Sequence, residues 1–327
     1  MKKILSLLAV AALVSLLHAV PANAQSAGGA GQPLHIVVPF APGGAQDVIA
    51  RWLATKLTTR MGVPVVIDNK AGAGGVIAAE SVAKAAPDGN TVFLASGGAI
   101  SIAPHLNAKL TYDPLKDFAP VALVADTPMT LAVRSQSPYQ TVADVLKDAK
   151  ARPKQVTFAS TGNGTISHLT GELFAQTAGV QLLHVPYRGA APAMTDLMGG
   201  QVAMIVTSAA SITPMVEDKR ARVLATFTTH RLGNLPDVPT MNEASGLKGL
   251  EVPVWVAVLA PAKTPKAVVD KLAAEVEAVC KLPETLERFN GLGALTTCGG
   301  PSEAGKVVND DYARWGRVIR QANIKAE

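Results

Sequence analysis

Along most of its length the chain alternates short β-rich runs with stretches of helical periodicity, and this restricts it to an α/β fold. Segments 63–67, 91–95, 120–124, 130–133, 156–159, 202–206 and 223–226 read as strands. Segments 75–85, 141–151, 167–178, 190–199 and 265–280 read as helices. Strands that alternate with helices predict mostly parallel sheets, with ligands held beyond the carboxyl ends of the strands.

The amino terminus has a separate logic. Lys2 and Lys3 precede an apolar run over 4–20, and Ala22-Asn23-Ala24 then supplies small residues at the spacing signal peptidase cleaves. A secretory signal peptide over 1–24 is expected. The apolar run is short for a retained membrane anchor, and no cysteine near the cleavage point offers a lipid attachment site. The mature protein is expected to begin at Gln25, continue through a flexible leader over 26–32, and occupy a bacterial periplasm. Loss of the two lysines takes the formal charge from +5 to +3. With no Lys/Arg run and no basic stripe interleaved with aromatics, nothing points to nucleic acid.

The mature length is more than one typical core takes, and suits two domains. No long linker or repeat divides the chain, so it is expected to cross between domains more than once, near 125–130 and near 250–253. The division drawn is 25–128 plus 254–327 for the first, discontinuous domain and 129–253 for the second.

One strand-turn-helix unit carries chemistry. The run Ile36-Val37-Val38 enters Pro39-Phe40-Ala41-Pro42-Gly43-Gly44, after which Val48, Ile49, Trp52, Leu53 and Leu57 recur at helical spacing. Unpaired amides at a helix start, with the positive end of the helix dipole, favour a carboxylate or phosphate without any charged side chain. An ordinary strand-to-helix turn is the alternative. Asp47, in the first turn, can tie down the preceding loop or meet an amine on a ligand.

A second unit repeats the pattern. Val156-Thr157-Phe158-Ala159-Ser160 leads through Thr161-Gly162-Asn163-Gly164-Thr165 into a helix with His168, Leu169, Leu173 and Phe174. Gly162 and Gly164 let backbone amides approach a ligand, and Thr161, Asn163, Thr165 and Ser167 offer neutral donors and a helix cap. Ala95-Ser96-Gly97-Gly98 and Val185-Pro186-Tyr187-Arg188-Gly189 are further polar loops. Arg51 and Arg188 are the cations best placed to meet an acid, and Arg188 lies in a loop. His168 can donate to a carboxylate or fix its own loop. His184 reads as structural, and Trp255 as a core or interdomain aromatic.

Enzyme chemistry lacks its parts. Neither Ser96 nor Ser160 has the leading glycine of a nucleophile elbow, no glycine-rich nucleotide fingerprint falls between strand and helix, and no histidine pair has helical metal spacing. No cofactor is expected. Cys280 and Cys298, the only cysteines, would be permitted to bridge in an oxidising compartment, with a contribution of roughly 3 kcal/mol. Two separate buried thiols are the other reading.

Taken in order, these motifs resemble a known family. Val38-Pro39-Phe40-Ala41-Pro42-Gly43-Gly44 with Asp47 and Arg51 is similar to the opening signature of the Bug receptors, the substrate-binding proteins of tripartite tricarboxylate transporters. Asp68-Asn69-Lys70-Ala71-Gly72-Ala73-Gly74-Gly75, Ala86-Pro87-Asp88-Gly89 and Tyr112-Asp113-Pro114 follow in family order. So do Gly162-Asn163-Gly164 with His168-Leu169, His184-Val185-Pro186-Tyr187-Arg188-Gly189, and Leu235-Pro236-Asp237-Val238-Pro239-Thr240.

The resemblance implies a type II periplasmic binding protein, monomeric and unanchored, whose two α/β domains close by a hinge on a small carboxylated solute. Its partners would be membrane transporter subunits or, in the alternative, a sensor protein; a periplasmic enzyme is the remote third reading. Carried over by position, the first clamp is Phe40, Ala41, Gly43, Gly44 and Asp47 with Ser96 and Gly97. The second is Thr161, Gly162, Asn163, Gly164, Thr165 and His168 with Tyr187, Arg188 and Ser208.

Overall fold

A computed structural model describes residues 31–322; the expected signal peptide lies outside the described residues. The strands are β1 (Leu34–Val38), β2 (Val65–Asn69), β3 (Thr91–Ala95), β4 (Phe118–Asp126), β5 (Met129–Arg134), β6 (Thr157–Ser160), β7 (Leu183–Pro186), β8 (Met204–Ser208), β9 (Ala221–Thr226), β10 (Trp255–Pro261) and β11 (Leu295–Gly299). The helices are α1 (Ala45–Met61), α2 (Val76–Ala83), α3 (Ala103–Leu106), α4 (Val142–Ala151), α5 (Ile166–Thr177), α6 (Ala190–Met198), α7 (Ala209–Glu217), α8 (Met241–Ser245), α9 (Lys266–Cys280), α10 (Pro283–Leu292) and α11 (Pro301–Ala322). None of the described helices is long and apolar enough to cross a membrane.

Two sheets result. One has the order β11-β4-β10-β3-β1-β2 and the other β7-β6-β8-β5-β9. The expectation of mostly parallel sheets needs correction, because both are mixed. β1 runs parallel to β2 and β3, and β6 parallel to β7 and β8. β10 is antiparallel to β3 and β4, β11 to β4, and β5 to β8 and β9. The reason is topological: β5 enters its sheet and β10 returns to the first directly from a crossing segment, so neither follows the right-handed helical crossover that makes neighbours parallel.

The crossings are bonded to each other. The amide of Thr127 donates to the carbonyl of Val254 at 2.7 Å, and the amide of Val254 donates to Oδ1 of Asp126 at 2.8 Å. Burial pushes the Asp126 carboxyl above its ordinary range. The last helix spans both units. Ala304 and Val308 of α11 pack with Phe93 and Trp255 on the first sheet, whereas Trp315 and Ile319 join Leu131 and Phe158 in the core of the second.

The expected disulfide is not formed. Cys280, buried at the end of α9, and Cys298, half-buried on β11, are free thiols. Burial pushes the Cys280 thiol well up and the Cys298 thiol up as well. The two sulfurs do not stand at bonding distance, and a bridge forms only where the geometry of both side chains permits it.

Candidate functional site: a cleft between two sheets

The β1–α1 turn is held open by its own side chains. Gly43 has φ +90°, a conformation that disfavours L side chains, and Gly44 caps α1 in extended geometry. Oδ2 of Asp47 accepts from the Gly43 amide at 3.0 Å and from Nε of Arg51 at 2.8 Å. Its Oδ1 accepts from Nη2 of Arg51 and Nδ2 of Asn69, both at 3.0 Å. Nδ2 of Asn69 also donates to the Phe40 carbonyl at 3.0 Å. Burial pushes the Asp47 carboxyl up, but the Arg51, Gly43 and Asn69 bonds outweigh it and hold the group below its ordinary value. Asp47 therefore braces the loop from behind.

The β6–α5 loop is braced in the same manner by different chemistry. Thr165 caps α5, its hydroxyl accepting from the His168 amide at 3.3 Å and donating to the Gly162 carbonyl at 2.7 Å. Nδ1 of His168 accepts from the Gly164 amide at 3.2 Å. The His168 ring stacks on that of His184 with centroids 3.9 Å apart and planes 10° apart, and Nε2 of His184 lies 2.6 Å from Oγ of Ser160. Desolvation lowers the His168 ring to about 4. Desolvation and the neighbouring His168 lower His184 to about 3. Both rings are neutral at neutral pH.

These loops enclose a chamber of about 40 Å³ between the sheets. Phe40, Gly44, Ser96, Thr161, Thr165 and Ser208 line it, together with Gln46, Met129, Ile166, Thr207, Ser211 and Val254 among others. No lining side chain is ionisable. The starts of α1 and α5 both border it, where the first amides have no partner inside the helix. The hydroxyl of Thr207 is fully buried without a hydrogen-bond partner among the described residues, an acceptor and donor left for whatever enters.

A second, wider cavity of about 380 Å³ adjoins it, sharing Phe40 and Thr161. Gly162, Asn163, Tyr187 and Arg188 line this vestibule from one side and Pro39 and residues 71–75 from the other. The Tyr187 hydroxyl donates to Oδ2 of Asp196 at 2.7 Å, and burial with that bond pushes the phenol up to about 12.

Six sequence-predicted residues line neither cavity. Asp47 and His168 brace the loops; Gly43 and Gly164 give their amides to those two side chains. The Ala41 amide donates to the Arg188 carbonyl at 3.2 Å. Gly97 lies where a Cβ would come within 2.8 Å of both Asp311 and Ile166. Sequence reasoning missed Gln46, Met129, Thr207 and Ser211. Gln46 was within reach, since it follows the α1 cap directly. Thr207 and Ser211 stand at the end of β8 and in the first turn of α7, and only the β8 run was read there.

The comparisons with known proteins agree with one another. Residues 49–324 match the family described as "Tripartite tricarboxylate transporter family receptor". A UPF0065 protein from the tcbD–tcbE intergenic region of Pseudomonas sp. strain P51 is 39% identical, covering 90% of this chain and 88% of that protein. The structure of periplasmic binding protein BugD superposes with a TM-score of 0.86 at 37% identity, over 90% of this chain and 99% of BugD. MatC from Rhodopseudomonas palustris with bound malate gives 0.84 at 33%, over 88% and 98% of the two chains. R. palustris Rpa4515 with adipate gives 0.86 at 34%, over 90% and 98%.

Proposed function

The chain belongs to the tripartite tricarboxylate transporter receptor family, and from that premise we propose that it is a periplasmic receptor for a small carboxylated solute. The two sheets, divided at 128/129 and 253/254, would be the jaws, and the bonded crossings at Thr127 and Val254 the hinge. The solute's carboxylate would occupy the inner chamber. Closure would then present the loaded receptor to membrane transporter subunits.

One observation carries this reading: the chamber has two helix starts and several hydroxyls on its walls, and no carboxylate or cation. Helix-terminal amides stabilise an anion by dipole and hydrogen bond, and no acidic wall repels it. Related receptors of this architecture have been seen with malate and adipate. Binding rather than turnover is the activity proposed, since the lining hydroxyls have no base among them.

The test is a thermal-shift screen of refolded, ligand-free protein against mono-, di- and tricarboxylates and amino acids. Stabilisation that saturates with an acid and is absent with its amide is the expected result. Failure of every acid to stabilise the protein would overturn the reading.

A further inference from the structure

We propose that the groove where α1, α7 and α10 meet is a docking surface for a basic segment of a membrane transporter subunit, a loop that carries lysine or arginine side chains. This rests on the receptor function proposed above and adds to it a surface outside the solute site.

Position carries the first step. The groove encloses about 490 Å³ and shares no lining residue with the chamber or the vestibule. Trp52 of α1 and Glu284, Glu287 and Arg288 of α10 line it, together with Thr213 and Glu217 of α7. Trp52 and Phe289 pack with Leu34 and Ile36 on the first sheet, whereas Ala209 and Ile212 of α7 join Ile205 and Val223 on the second. The two sides meet where the Thr213 hydroxyl donates to the Leu292 carbonyl at 3.4 Å. A hinge motion between the sheets moves one side against the other, so the groove has this shape in one arrangement of the jaws only. A partner that docks on both sides at once selects that arrangement.

Charge carries the second. Three carboxylates and one cation line the groove, in a chain whose formal charge is +5. Glu217 and Glu287 are exposed, and neither carboxylate bonds to another described residue. Among the described residues no group of three His, Cys, Asp or Glu side chains could hold a metal ion. The carboxylates are therefore spaced for separate cations along a polypeptide, and their sign turns away anionic lipid and nucleic acid.

Chemistry carries the third, because a cation is already seated beside the groove. Nζ of Lys56 stands 4.7 Å from the centroid of the Trp52 ring and 2.5 Å from Oε1 of Glu284. The ring is fixed in turn, its Nε1 donating to Oγ1 of Thr285 at 2.8 Å. An ammonium held by an aromatic face and a carboxylate is what the groove offers an incoming basic side chain, with Glu217 and Glu287 as the carboxylates left over.

The experiment compares solute affinity with uptake. Cells of the source bacterium carry the wild-type receptor gene, a deletion of it, Glu217→Lys/Glu287→Lys, or a control with the same change of charge on other helices, Asp270→Lys/Asp310→Lys. Uptake of the best-stabilising acid, radiolabelled, is measured in each, and calorimetry reads the affinity of the purified proteins for the same acid. The groove variant should bind the acid within about twofold of wild type, as distant independent sites do. Its uptake should fall about tenfold or more, since like charges set across an interface repel. The control pair should change neither. Should the reversed variant fail to fold by circular dichroism, Glu217→Gln/Glu287→Gln removes the charges without reversing them and should lower uptake with affinity kept. Uptake equal to wild type, a loss matched by the control pair, or a loss matched by solute affinity overturns the docking surface and leaves the receptor reading intact. Uptake that survives deletion of the receptor gene, or binding of no acid at all, overturns both.

Discussion

The backbone amide of Ala45 donates to the hydroxyl of Ser211 at 3.0 Å, joining the first turn of α1 on one sheet to the first turn of α7 on the other. The bond is buried and separates residues 166 positions apart. Oγ of Ser211 also lies 2.9 Å from Oγ of Ser208, so two hydroxyls lining the chamber are linked to the bond that crosses it.

Ser211→Ala should weaken ligand binding without harming the fold. Closing the cleft would leave the Ala45 amide buried without an acceptor, a cost of about 1 kcal/mol to the closed form, hence an affinity roughly fivefold lower. Calorimetry with the best-stabilising acid reads the affinity, and circular dichroism the fold. Equal affinity in the variant would show that this bond does not distinguish closed from open protein.

Asp47→Ala should cost stability as well as binding, since the carboxylate is acceptor to the Gly43 amide, the Arg51 guanidinium and the Asn69 amide. Loss of a buried charged acceptor with several donors costs about 1–3 kcal/mol. Because the folded carboxyl sits below its ordinary 3.8, its contribution is complete above that pH and is lost as pH falls beneath it. Thermal denaturation against pH should show wild type and variant converging in acid; curves offset equally at every pH would contradict this.

The stacked pair His168 and His184 should make stability fall in mild acid. Their folded values, about 4 and about 3, lie below the ordinary 6.5, so the unfolded chain binds more protons in between. The full contribution is present above pH 6.5 and is lost progressively as pH drops toward those values, by up to about 1.4 kcal/mol per pH unit for each proton taken up. His184→Phe, which keeps the stacking on His168 and Phe158, should flatten the melting-temperature slope between pH 6 and 4. An unchanged slope would place the titration elsewhere.

Gly74→Val should wedge the cleft. Gly74 has φ +64°, and a Cβ there would stand 2.8 Å from the carbonyl oxygen of Asn163 on the opposite loop. A side chain pays both the left-handed backbone cost of about 1–2 kcal/mol and the clash, and the clash exists only in the closed form. Small-angle scattering with saturating acid should show a radius of gyration that shrinks for wild type and not for the variant. Equal compaction of both would mean that the loops can part locally at this point.

Much of the frame was legible along the chain because it is written in local periodicity. β3 spans the residues expected from its β-branched run, and α4 and α5 begin and end within a residue of their expected bounds. Caps explain the accuracy: Thr141 closes a capping box with Asp144, and Thr165 caps α5. β7, β10 and β11 were not identified, and neither was the reversed direction of β5, β10 and β11 against their neighbours, since parallel or antiparallel pairing depends on how distant segments meet.

The cleft was legible in kind but not in detail. Two Gly-rich loops before helices marked the cradles, and the structure brings Phe40, Gly44, Thr161 and Thr165 to one chamber. Asp47 and His168 lie in the same motifs yet point into the supports, a distinction set by which neighbours offer unmatched donors. Cys280 and Cys298 illustrate the same limit, because their chemistry follows from burial and contact geometry rather than from the compartment.

By itself the sequence determined the α/β class, the two strand-turn-helix cradles and an ordered motif series that marks the family, because each is encoded within a short stretch whose spacing, caps and glycines act locally. Only the tertiary structure decided which way the strands run, which loop residues face the cavity and which brace it, and that Ser211 reaches Ala45 across the cleft. Those outcomes come from packing between segments far apart in the chain, where burial and the satisfaction of backbone amides select one arrangement that no local pattern specifies.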